Sequence, residues 1–133
     1  GKLMDVDAVF TLCANKGNVT ATKYSVAGVI AHSQGADVTK CYNSGTVTGT
    51  NYVSGIITYA ATNTVTVSDC MNIGAVNGGA SGLSAGILAA ASVAGVEVKN
   101  SINLADVTGK GQYVYPVGDY KNVAMLRKYN KIF

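Results

Sequence analysis

Cys41-Tyr42-Asn43-Ser44-Gly45-Thr46-Val47 is one of four versions of the same seven-residue phrase in this chain. Upstream stands Cys13-Ala14-Asn15-Lys16-Gly17-Asn18-Val19; downstream stand Cys70-Met71-Asn72-Ile73-Gly74-Ala75-Val76 and a degenerate Ser101-Ile102-Asn103-Leu104-Ala105-Asp106-Val107. Successive copies begin 28, 29 and 31 residues apart. The match extends outward. Three residues before the Cys position come Phe10, Val38, Val67 and Val98, and five before it Ala8, Ala36, Val65 and Val96. Beyond the closing Val and a variable loop come Ala27-Gly28-Val29-Ile30, Ser54-Gly55-Ile56-Ile57 and Ala85-Gly86-Ile87-Leu88. In the fourth copy Val114-Tyr115-Pro116-Val117 falls in that place and fits poorly.

A repeat of this length cannot bury an apolar face alone, but stacked copies can. Its character is β. Ala36-Asp37-Val38-Thr39, Val65-Thr66-Val67-Ser68 and Val96-Glu97-Val98-Lys99 alternate apolar and polar residues, the pattern of a strand with one buried side. The expected fold is therefore all-β, a parallel β-helix (β-solenoid) of about four rungs. Each rung carries three short strands, in the second copy near 37–40, 46–49 and 53–59, and equivalent strands pair in parallel about 4.8 Å apart. Residues 1–12 read as a partial first rung or N-terminal cap. Residues 13–118 hold the repeats (13–40, 41–69, 70–100 and 101–118), and 119–133 depart from the pattern as a C-terminal cap or tail.

Three columns carry structural expectations. Asn15, Asn43, Asn72 and Asn103, stacked in register, form a hydrogen-bonded ladder. Gly17, Gly45 and Gly74 suit a bend with positive φ. Cys13, Cys41 and Cys70 stack with parallel Cβ vectors slightly too far apart for a disulfide. They pack as small apolar groups, and parallel thiols do not converge on a metal.

Composition agrees. The chain has 133 residues, is 48% hydrophobic and only 13% charged, and contains 16 Gly, one Pro and no Trp, the profile of short strands and many turns. The net charge is +3, and the excess lies in the last fifteen residues, where Lys121, Arg127, Lys128 and Lys131 face only Asp119. A neutral body lacks the basic face that nucleic acid requires. There is no 18-residue apolar run for membrane insertion, and no apolar core of a signal peptide follows Gly1-Lys2-Leu3-Met4-Asp5.

The residues with chemical potential are few. Asp37 and Glu97 share a column two rungs apart, about 9–10 Å, a spacing compatible with an inverting carboxylate pair. No Arg or His accompanies them, so they read as solvated outward charges. His32 aligns with Tyr59 and Ala90 and reads as a surface or turn residue. The Thr-x-Thr pairs 20–22 and 48–50 do not continue at Asn77-Gly78-Gly79, which argues against a regular ice-binding array. The best ligand platform is aromatic: Tyr24 and Tyr52 each follow the repeat Val by five residues, with Leu83 and Tyr113 nearby in their rungs. Stacked Tyr faces receive sugar rings at low entropic cost. No residue set calls for a cofactor or a metal.

The combination of Cys41-Tyr42-Asn43-Ser44-Gly45-Thr46-Val47 with Ser54-Gly55-Ile56-Ile57, repeated at 13–19 with 27–30 and at 70–76 with 85–88, resembles the GLUG-type repeats of bacterial surface and secreted proteins. It departs from them at the closing Gly of the second motif, here Ala31, Thr58 and Ala89. The resemblance implies an extracellular, adhesin-like repeat region that spaces or presents neighbouring domains, with glycans or cell-surface proteins as partners and no catalytic residues. A carbohydrate-binding module built on the Tyr column is the alternative. A glycan-degrading β-helix enzyme is a more distant third.

Overall fold

The computed structural model describes residues 2–3, 8–61, 65–92, 96–109, 113–115 and 117. Among these every regular element is a strand and every pairing is parallel. Five four-stranded sheets run along the stack. The first contains Val9–Thr11, Asp37–Thr39, Thr66–Ser68 and Glu97–Lys99. The second contains Ala14–Asn15, Tyr42–Asn43, Met71–Asn72 and Ile102–Asn103. The third contains Val19–Thr20, Val47–Thr48, Val76–Asn77 and Val107–Thr108. The fourth contains Ser25–Ala27, Tyr52–Ser54, Leu83–Ala85 and Tyr113–Tyr115. The fifth contains Lys2–Leu3, Ile30–Ser33, Ile57–Ala60 and Leu88–Ala91. The chain is a β-solenoid, and its rungs are the sequence repeats in the expected register: Val38 beside Val67, Asn43 beside Asn72, Val47 beside Val76, Ile57 beside Leu88.

The structure corrects the expected rung in three ways. A rung has five strands, not three. The Cys-x-Asn phrase is itself a strand, and the run expected at 53–59 breaks at Gly55-Ile56 into Tyr52–Ser54 and Ile57–Ala60. The left-handed bend is not at the Gly of the phrase. It is at the residue before the Cys position, where Leu12, Lys40, Asp69 and Asn100 all have φ between 47° and 57°. In the fourth copy Tyr115 lies beside Ala85 and Val114 beside Ser84, each one position earlier than the sequence alignment placed it. The strand Val9–Thr11, assigned by sequence to a partial first rung, pairs along its whole length with Asp37–Thr39. The cap expected at 119–133 lies outside the described residues.

Gly45 and Gly74 have a different reason to be glycine. A Cβ on Gly45 would collide with the carbonyl of Gly17, and one on Gly74 with the carbonyl of Gly45. The backbones stack too closely there for any side chain.

The interior holds two apolar clusters. The larger takes Val38, Val67 and Val98 from the first sheet, Ile57 and Leu88 from the fifth, the corner residues Ile56 and Ile87, and the thiols of Cys41 and Cys70. The smaller consists of Val26, Val47, Val53 and Val76. The boundary follows from the order around a rung. A Cβ on Gly55 would run into the Asn72 carboxamide, and one on Gly28 into that of Asn43. The Asn column thus reaches across the interior to the glycine column opposite and forms a polar partition between the clusters. Each fully buried Ile or Leu contributes about 1.5–3 kcal/mol by leaving water, and the second and third rungs add two each, Ile56 with Ile57 and Ile87 with Leu88.

Candidate functional site

The Asn column is a continuous, directional ladder. Asn15 Nδ2 donates to Asn43 Oδ1 at 2.8 Å, Asn43 Nδ2 to Asn72 Oδ1 at 2.7 Å, and Asn72 Nδ2 to Asn103 Oδ1 at 2.7 Å. The second hydrogen of each amide turns to the carbonyl two residues on, at Gly17, Gly45, Gly74 and Ala105, over 2.7–2.9 Å. Asn43, Asn72 and Asn103 are buried, and this double use of Nδ2 is what makes their burial tolerable.

The cysteines do more than fill space. Cys41 Sγ lies 3.2 Å from the carbonyl oxygen of Thr39 and Cys70 Sγ 3.2 Å from that of Ser68; Cys13 makes the same contact with Thr11 at 3.3 Å. Ser101 donates to Lys99 at 2.9 Å in the fourth rung. Each S–H or O–H therefore closes the bend across the left-handed residue. All three cysteines are free thiols. Burial, with Cys41 stacked beside it, pushes the Cys70 thiol up to about 12, and burial raises Cys41 in the same direction. These thiols stay protonated, which suits donors and not nucleophiles.

The carboxylates share a column as expected, Asp37 and Glu97 flanking Thr66. Both are engaged within the fold. Asp37 Oδ1 accepts the Thr66 amide at 2.9 Å, and Glu97 pairs with Lys99 at 2.7 Å on the half-exposed surface. Among the described residues no three His, Cys, Asp or Glu side chains come together as metal ligands.

The Tyr platform is arranged differently from its sequence alignment. Tyr52 pairs with Ser25, not with Tyr24. Tyr24 sits one position earlier, at a left-handed bend with φ 59°, and is 77% exposed. The extra residue in the first loop shifts it out of the column. Tyr113 is in the Tyr52 column, two rungs on, with Leu83 between them. Tyr52 instead meets Tyr59, with ring centroids 6.3 Å apart and planes at 49°. Tyr59 meets His32 at 5.2 Å and 52°. These tilted contacts are favourable aromatic geometries. They make a half-buried corner of His32, Tyr52 and Tyr59 between the fourth and fifth sheets. The sequence carried a signal for it, since His32 and Tyr59 align in one column, but nothing in one dimension brings that column beside Tyr52.

Sequence reasoning missed a second surface. Tyr42, Met71 and Ile102 line up on the outside of the second sheet, with Ile73 at 44% and Leu104 at 60% exposure next to them. Alternation is enough to find it: if Cys and Asn point inward, the residues after each point outward.

No protein-family model, curated protein or solved structure matches this chain.

Proposed function

We propose that this chain is a non-enzymatic structural repeat module of an extracellular surface protein, a spacer that holds or presents neighbouring domains. The observation that carries the reading is the ladder: the same directional Asn-to-Asn bond joins all four rungs. Repetition of the same Asn and apolar columns from rung to rung suits a rod whose task is extension. The engagement of Asp37 with the Thr66 amide and of Glu97 with Lys99 also supports a role without catalysis. The extracellular placement rests on the resemblance to GLUG-type surface repeats.

One observation favours a second reading, carbohydrate binding: the aromatic corner of His32, Tyr52 and Tyr59 presents ring faces at a sheet junction. A glycan-array screen of the chain beside a Tyr52→Ala, Tyr59→Ala double variant separates the two. The spacer reading expects no saturable binding to any glycan. Saturable binding that disappears in the double variant replaces it with a recognition module.

A further inference from the structure

The two ends of the described solenoid are not equivalent. In the last rung Val98, Ser101 and Asn103 are buried. In the first rung the matching Phe10, Cys13 and Asn15 are only half-buried, while Val19 and its counterpart Val107 are half-buried at both ends. Four of the five sheets begin there with the first rung. The fifth alone runs one strand further, because Lys2–Leu3 pairs with His32–Ser33. That strand holds the place that Tyr59–Ala60 holds two rungs later.

The open edge has a chemical direction. Val19 and Ala21 donate their amides to Thr46 and Thr48 of the second rung, at 2.9 and 3.0 Å, so the backbone of Thr20 between them faces the edge. Cys13 and Asn15 give their carbonyls to Tyr42 and Ser44, which turns Ala14 the same way. The ladder donates onward at every step, from Asn15 towards Asn103. The edge therefore ends in the Oδ1 of Asn15, an acceptor with no donor among the described residues. An occupant has to bring strands running in the same direction, an N–H at the height of that oxygen, and apolar groups above Phe10, Cys13 and Val19. A second copy docked edge to edge would reverse the strands and set one Asn15 oxygen against another. A further rung of this repeat meets every requirement.

We propose that the N-terminal edge of the solenoid is a docking surface for one more rung of the same Cys-x-Asn-x-Gly type, stacked in parallel and entering the fold through Lys2–Leu3. Its Asn donates to Asn15 Oδ1 and continues the ladder. The proposal is independent of the module's glycan binding.

The test is a chain in which the 23 residues 36–58 are copied directly ahead of Lys2, so that the copied Ile57 and Thr58 lead into Lys2 as they normally lead into Tyr59. A Cys41→Ser change in the copied segment, following the example of Ser101, keeps Cys13 the only half-buried thiol. The expected result is that labelling of Cys13 and amide exchange at Ala14 and Thr20 slow at least about tenfold relative to the unextended chain. The same extension with the copied Asn43→Leu, which cannot donate, is expected to lose most of that protection. Unchanged rates at Cys13, Ala14 and Thr20 in an extended chain that keeps the original unfolding midpoint overturn the proposal. Equal protection from the Asn43→Leu extension also overturns it. So does an unextended chain that sediments as a dimer with Cys13 already protected, since the edge then belongs to a second copy.

Discussion

Asn72 gives one amide hydrogen to Asn103 and the other to Gly74, while its oxygen accepts from Asn43. Replacing it with Ala strands a buried donor on Asn43, a buried acceptor on Asn103 and the Gly74 carbonyl. Each buried group left without a partner costs about 1–3 kcal/mol. The expected loss for Asn72→Ala is about 3 kcal/mol or more in urea unfolding, against about 1 kcal/mol for Asn15→Ala at the half-buried edge. Equal losses at the two positions would mean that burial does not set the ladder's worth. The ladder was legible in the sequence because one residue type recurs at one position in every copy. The thiol's role as a donor across the bend was not. Ser101 in the same column hinted at it, since Ser shares hydrogen-bonding capacity with Cys as well as size.

At the scale of the element, none of these strands exceeds four residues and many have two, far too short to persist alone. A strand exists because the one a rung away supplies its partners, so the rung is the unit of stability. The stacking distance is then a constraint in its own right. Gly45→Ala forces a methyl into the Gly17 carbonyl, whereas the nearest atom to a Cβ on Gly17 is Asn15 Oδ1 at 3.9 Å. Gly45→Ala is expected to destabilise by about 3 kcal/mol or more, and Gly17→Ala by less than about 1 kcal/mol, read as a drop in thermal midpoint. The column of glycines was plain in the sequence, but its reason was not. Positive φ was the natural reading of a glycine in a turn. The positions that adopt it at this bend are Leu12, Lys40, Asp69 and Asn100, four unlike residues that share only their place before the Cys or Ser. Their conformation is imposed by the chain direction on either side and closed by the Cys or Ser that follows.

For the whole molecule, the thiol column sets an alkaline limit. Cys70 is raised to about 12 from an ordinary 9.0 because its charged form would be desolvated. The unfolded chain thus loses this proton first. The stability is fully present below about pH 9 and falls as pH rises through the interval up to about 12. Cys70→Ser keeps a donor of the kind that Ser101 supplies and removes the titration. It is expected to flatten the decline in stability between about pH 8 and about 10.5, measured by urea unfolding at each pH. A decline of unchanged slope in the variant would assign the alkaline limit to other groups.

The sequence by itself determined that this chain is a stacked β-solenoid, how many residues make a rung, and that the Asn and Val columns of the repeat lie in register. A repeat states its own alignment, and parallel stacking turns alignment directly into contact. Only the tertiary structure decided the five-strand rung, the position of the bends, the polar partition between two apolar clusters, and the meeting of Tyr52 with Tyr59 and His32. Those depend on how the rung closes on itself, bringing residues of one copy together across its interior or around a corner. The distances involved are set by backbone geometry over a whole turn, and no column of matching letters records them.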